Sequence, residues 1–133
     1  MKPTFPLCEG LLPISFAKIP FSVVRMFIVH SNKPGEVRGE HAHWDTQQLL
    51  VCSAGLIQFD VETVEGDERR VYLSPGESYY HGPLEWIKIT YVTGGDTLLS
   101  FCSTEYFESD CIRDYERFKD IQRPTKEVIN ENI

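Results

Sequence analysis

The chain has 133 residues, with 41% hydrophobic and 12% aromatic side chains. That is the size of one domain with enough apolar material for a packed core, which excludes a disordered polymer. The net charge of −7 argues against nucleic acid, whose binding needs a basic surface to release counterions; it leaves open a small diphosphate ligand such as a nucleotide-sugar, which needs only a few placed cations or N–H groups. No apolar run approaches the roughly 18 residues of a membrane span, and Met1 to Leu12 lacks the apolar stretch of a secretory signal, so a cytoplasmic protein without a membrane partner is expected.

In chain order, the β-branched run Val23 to His30 predicts a first strand. A second carries His41-Ala42-His43. Gln48 to Cys52 is a third, closed by Ser53-Ala54-Gly55, and Ile57 to Glu62 alternates strictly, one face in and one out. Arg69 to Leu73 follows the Glu65-Gly66-Asp67 turn, Trp86 to Val92 follows His81-Gly82-Pro83, and Thr97 to Cys102 follows Gly94-Gly95. Turn signals recurring about every 10 residues predict an all-β sandwich or barrel of antiparallel strands. Ile112, Tyr115 and Phe118, three apart among charged residues, predict a short C-terminal amphipathic helix that stops before Pro124. Residues 1–133 read as one domain with its core at about 18–120 and a flexible tail at 124–133. Cys8, Cys52, Cys102 and Cys111 show no C-x-x-C pairing and read as reduced thiols, Cys52 and Cys102 as small core residues.

The chemistry is concentrated in Gly35 to Gly55. Residues two apart on a strand share a face, so His41 and His43 present two imidazoles side by side across small Ala42. Gln48 arrives on the neighbouring strand after the Trp44-Asp45-Thr46 turn, and Arg38, just upstream, is within reach of the same cavity. Arg38 is read equally as a surface ion pair. His30 and His81 read as ordinary strand-end residues. Tyr80 and Trp86 are candidates to stack on a base or sugar, but also for core or dimer-interface packing.

The spacing Gly-x5-His-x-His-x4-Gln-x6-Gly over Gly35, His41, His43, Gln48 and Gly55 resembles the first cupin motif, with Gln48 where metal-binding cupins carry Glu. Arg38-Gly39-Glu40-His41-Ala42-His43, Gln48 to Cys52, Tyr80 to Trp86 and the ending Glu105 to Tyr115 together resemble the dTDP-4-keto-6-deoxyglucose 3,4-ketoisomerases, across roughly residues 18–120. The resemblance implies a metal-free cupin jelly-roll barrel in deoxysugar and glycan biosynthesis, without cofactor. It implies a homodimer exchanging N-terminal strands, with a dTDP-linked keto-deoxysugar in the barrel. By the same resemblance the base is His43 and its partner His41, with Arg38 and Gln48 in the same motif; the expected substrate-binding set is Arg38, Gln48 and Arg25 together with the stacking candidates Tyr80 and Trp86. The chain departs from the family at Phe27 and Ile28, where aromatic hydroxyls are usual, and at Ile87, where a His tends to follow Trp86. These exchanges remove polar groups near the expected pocket.

Moving a ketone from C4 to C3 requires a base able to take a proton and return it, a window that suits an imidazole. Arg38 suits either the developing enolate charge or the diphosphate. Two other functions are compatible with the same barrel. One is a non-catalytic nucleotide-sugar-binding module, favoured by Phe27, Ile28 and Ile87. The other is a metal-dependent cupin, which would want a carboxylate and a third His that the motif lacks.

Overall fold

The computed structural model describes residues 3–121. Nine strands follow one another: β1 (Arg25–Ser31), β2 (Glu36–His43), β3 (Gln48–Ala54), β4 (Ile57–Thr63), β5 (Glu68–Leu73), β6 (Ser78–His81), β7 (Glu85–Tyr91), β8 (Asp96–Cys102) and β9 (Cys111–Ile112). They form two antiparallel sheets, ordered β1-β8-β3-β6 and β5-β4-β7-β2-β9. A helix, α1, occupies 115–121. The expected all-β barrel with a C-terminal helix is therefore present.

The alternation within each strand decides where its side chains go. On β4, Ile57, Phe59 and Val61 are buried while Gln58 and Asp60 are half-exposed. They meet Leu50, Cys52 and Leu98 of the opposite sheet in the main core between the sheets. β3 is buried on both faces, which is why Leu49 to Cys52 reads as an unbroken apolar run. Its even-numbered Leu50 and Cys52 face the sheet-to-sheet core; its odd-numbered Leu49 and Val51 are covered by the N-terminal segment through Phe5 and Ile19. That segment is tied to the β6 edge by a bridge between Thr4 and Glu77 and by Phe5 N–H donating to the Gly76 carbonyl.

Three details differ from expectation. β6 was not anticipated, because Ser-Tyr-Tyr-His has no apolar period and reads as part of the turn before Trp86. Ile112 belongs to the two-residue β9, paired with Ala42, rather than to the helix. α1 begins after Asp114, whose carboxylate accepts the Glu116 N–H at 3.0 Å as an N-cap. Phe118 is wholly buried against Ala42, Ile112 and Trp86, so the helix covers the outer face of the second sheet. The expected helix stop and the tail at 124–133 lie outside the described residues. Cys52 and Cys102 are buried, and none of the four thiols is paired. No helix among the described residues is long and apolar enough to cross a membrane.

Candidate active site

A bulge in β2 aims the site residues. β2 pairs with β7 at Arg38↔Ile89 and next at His41↔Ile87, so three steps on β2 face two on β7. Gly39 takes up the extra residue at φ +73°. Strict alternation would send Arg38 and His41 to opposite faces. The inserted residue brings both to the inner face and sends Glu40 to the outer one, where it lies with Asp60 and Trp86.

The inner face opens on a cavity of about 410 Å³ between the sheets, a volume in the range of small-ligand sites. Arg25, Phe27 and Val29 of β1, Arg38, His41 and His43 of β2, and Gln48 of β3 line it together with Ile89, Tyr91 and Leu98. The segment after β8 closes one side with Tyr106, Cys111 and Arg113. Of the residues expected from sequence, Arg25, Arg38, His41, His43 and Gln48 are thus brought together.

His41 and His43 face each other at 3.0 Å between their Nε2 atoms, with rings nearly perpendicular. One N–H lies between them. A third ring, His81, stands 5.7 Å from His43 and 6.2 Å from His41. Burial disfavours the charged form of all three. It takes His41 down to about 4 and His81 to about 3, each helped by neighbouring imidazoles. His43 is also lowered by burial, but Asp110 pulls it back toward its ordinary value.

His81 is therefore neutral and has one N–H. Its Nε2 lies 2.6 Å from the Glu85 carbonyl, which only accepts, so the proton sits there. Nδ1 then carries a lone pair 3.1 Å from the Gln48 carboxamide, which must turn its nitrogen to the ring and its oxygen toward Cys102. His81 closes β6, as its strand-end reading has it, but it is a wholly buried member of the cluster rather than an ordinary residue, and Gln48 is its anchor as well as a wall of the cavity.

Behind His43, Asp110 Oδ2 stands 3.4 Å from Nδ1. Burial alone would raise this carboxyl; donation from the Thr46 hydroxyl and the Asp45 and Thr46 amides outweighs it and holds Asp110 below the usual carboxylate range. The same bonds clamp the β2–β3 turn to the C-terminal segment.

Three guanidinium groups ring the cavity. Arg113 is neutralised by a two-pronged pair with Glu108, its Nε 2.7 Å from Oε1, and Tyr106 donates to the same carboxylate. Arg38 is exposed and 3.4 Å from Glu36. Arg25 donates to the Thr104 carbonyl, lies over the Phe27 and Tyr106 rings, and has no carboxylate partner among the described residues.

Tyr80 and Trp86 do not reach the cavity. On β6, Tyr80 points away from Tyr79 and His81, and its hydroxyl donates to Gln47 at 2.8 Å on the outer surface. On β7, Trp86 points away from Ile87 and Ile89 and packs against Tyr115 and Phe118 at 5.2 and 5.7 Å. Of the three departures, only Phe27 lines the cavity; Ile28 faces outward and Ile87 is buried in the core.

Sequence reasoning missed His81, Tyr91, Tyr106, Asp110 and Arg113 as members of the site. For Tyr106, Asp110 and Arg113 a signal existed, since all three stand in the Glu105-to-Tyr115 ending that carried the resemblance. Tyr91 offered none, because a tyrosine closing an apolar strand reads as core. Among the described residues, no group of three or more His, Cys, Asp or Glu side chains is arranged to hold a metal ion.

Fold and site together define a small cupin-type barrel with a histidine- and arginine-lined cavity between its sheets. Residues 10–123 match the protein-family model described as "FdtA: WxcM-like, C-terminal", and the chain belongs to that family. A curated relative, the TDP-4-oxo-6-deoxy-alpha-D-glucose-3,4-oxoisomerase of Aneurinibacillus thermoaerophilus, is 32% identical over 101 residues, which make up 76% of this chain and 73% of that protein. The sugar 3,4-ketoisomerase QdtA from Thermoanaerobacterium thermosaccharolyticum, solved in complex with TDP, has a TM-score of 0.83 at 27% identity, covering 94% of this chain and 95% of its own. A histidine-to-asparagine mutant of that enzyme, solved in complex with TDP-4-keto-6-deoxyglucose, has a TM-score of 0.82 at 27% identity, covering 93% and 94%.

Proposed function

We propose that this protein is a sugar-nucleotide 3,4-ketoisomerase that acts on TDP-4-keto-6-deoxyglucose or a close relative in deoxysugar biosynthesis in the cytoplasm. The observation that carries this reading is the pair of neutral imidazoles meeting at 3.0 Å beside a cavity ringed by arginines, in a chain of a family whose named relatives perform this isomerisation.

The reaction moves two protons. One leaves C3 while the C4 carbonyl oxygen gains one, giving a 3,4-enediol. The O3 proton is then lost and a proton returns to C4, leaving the ketone at C3. His43 takes and returns the carbon-bound proton; His41 relays the proton between the oxygens. Both rings are neutral at neutral pH, so each begins with one lone pair and one N–H, as the two roles require. Positioned acid–base help of this kind is worth about 10²–10⁴ in rate. Arg25 and Arg38 receive the diphosphate and the developing oxyanion; Arg25, without a carboxylate partner among the described residues, is the freer of the two. Phe27, Val29, Ile89 and Leu98 keep water from the enediol.

The protein works as a homodimer with exchanged N-terminal strands. Two observations support this: the N-terminal segment adds to the β6 edge by main-chain pairing at Thr4–Glu77 and Phe5–Gly76, a pairing that a second chain's segment can make equally well, and the outward side of edge strand β1 exposes Met26 and Ile28, with Val24 exposed just before it.

The test is conversion by metal-stripped protein. With chelator present, TDP-4-keto-6-deoxyglucose is expected to yield the 3-keto sugar, followed by proton NMR. Saturable binding with an unchanged sugar spectrum would make the chain a binding module, and conversion that returns only with added metal would make it a metal-dependent cupin.

A further inference from the structure

We propose, on the reaction assigned above, that Asp110 is a positioning residue: its carboxylate holds the proton of His43 on Nδ1 and so presents Nε2 as the atom that accepts the substrate proton. The polar contacts of the two rings, and the donors that fix the carboxylate, lead to this assignment.

Asp110 Oδ2 faces His43 Nδ1 at 3.4 Å and accepts from the Thr46 amide at 3.2 Å and the Thr46 hydroxyl, while Oδ1 accepts from the Asp45 amide at 2.8 Å. A carboxylate held in place by three donors has lone pairs to offer and no proton, so the ring must donate. The competing neighbour at Nδ1 is the Cys111 thiol, 4.0 Å away. A weak S–H donor at that distance is the poorer partner beside a charged acceptor.

With the His43 proton on Nδ1, its Nε2 is a lone pair, and the 3.0 Å contact is His41 Nε2–H donating to it. His41 Nδ1 is then also a lone pair. This atom is buried and has no hydrogen-bond partner. The opposite tautomer of His43 would point a lone pair at the Asp110 carboxylate. The assigned state removes that penalty, because the ring then donates to the carboxylate.

The arrangement divides the labour. A substrate oxygen that takes over the His41 N–H frees His43 Nε2 to accept the proton of C3. The imidazolium that forms on His43 keeps its Nδ1–H on Asp110. The other groups facing His43 work against that charge or leave it unchanged: His41 and His81 are neutral rings, Cys111 is a neutral thiol, and Arg25 and Arg113 disfavour it. Asp110 is thus the group that makes His43 the more basic of the two rings, as the direction of its effect on His43 agrees.

The proton is read directly by nitrogen NMR of ¹⁵N-labelled wild-type protein at neutral pH, with His43 assigned by its loss in a His43 variant. Nδ1 protonated and Nε2 bare is expected, unchanged in Cys111→Ala. In Asp110→Asn we expect kcat to fall by about 10²–10⁴ with KM within a few-fold, and the acidic limb of the pH–rate profile to move to lower pH. An unprotonated Nδ1 in the wild type, or wild-type kcat in a folded Asp110→Asn, overturns the role of Asp110. Because Asp110 also clamps the β2–β3 turn, the wild-type tautomer measurement decides the matter even where the variant fails to fold. Substrate conversion with a bare Nδ1 removes only this assignment, whereas the expected tautomer without conversion supports the pairing and overturns the reaction.

Discussion

Burial sets the working charge of the imidazoles, and that has a sign that can be tested. In the folded protein His43 stays neutral to a lower pH than a free histidine, since desolvation outweighs the pull of Asp110. The base must be unprotonated to act. The rate of isomerisation is therefore expected to be flat at and above the ordinary histidine pKa of about 6.5 and to fall only as pH drops through the depressed value. A steady-state pH profile with its acidic limb above pH 7 would contradict the assignment. At this scale the sequence told which residue types share a face but little about their partners. His41 and His43 were legible from their i, i+2 spacing. His81 was not, because a lone histidine before Gly-Pro gives no sign that both its nitrogens are bonded inside the barrel. Tyr80 and Trp86 were drawn toward the ligand by their chemistry alone, and the pleat puts them on the other side.

Among the elements, β2 carries the most chemistry and a bulge. Its bulge lets Arg38 and His41, three apart, share the inner face, and Gly39 makes the bulge possible with its positive φ. A Cβ at Gly39 would sit 3.1 Å from Ile89 Cδ1, and a non-glycine residue in this conformation costs about 1–2 kcal/mol. Gly39→Ala is expected to lower the melting temperature by roughly 5 °C and to reduce kcat/KM, because Arg38 and His41 lose their common aim. Wild-type thermal stability and kcat/KM together would show that the bulge does not matter. Sequence alternation reached β4 almost residue for residue but could not announce this bulge, since a glycine inside a strand pattern marks either a bulge or a bend. The C-terminal stripe was half legible: Phe118 is helical and buried, but Ile112 went to β9, where pairing with Ala42 carries Asp110 to the back of His43.

At the scale of the molecule, turn spacing and strand periodicity were enough for an antiparallel barrel, because both are local. The closing of the cavity was not, since it depends on the segment after β8 folding back over β2 with a register set by two residue pairs. Resemblance supplied what periodicity could not, and the shared family supports the same reaction. The account stands on proton transfer by the imidazole pair. Its most direct measurement is solvent exchange at the sugar carbons, with wild type and His43→Ala incubated with TDP-4-keto-6-deoxyglucose in deuterated water and followed by NMR. The wild type is expected to lose the C3 proton signal as the 3-keto sugar forms, and His43→Ala to leave the spectrum unchanged while binding TDP within a few-fold of the wild-type affinity. Full exchange in His43→Ala, or a wild type that binds the sugar and leaves its C3 proton in place, would contradict it.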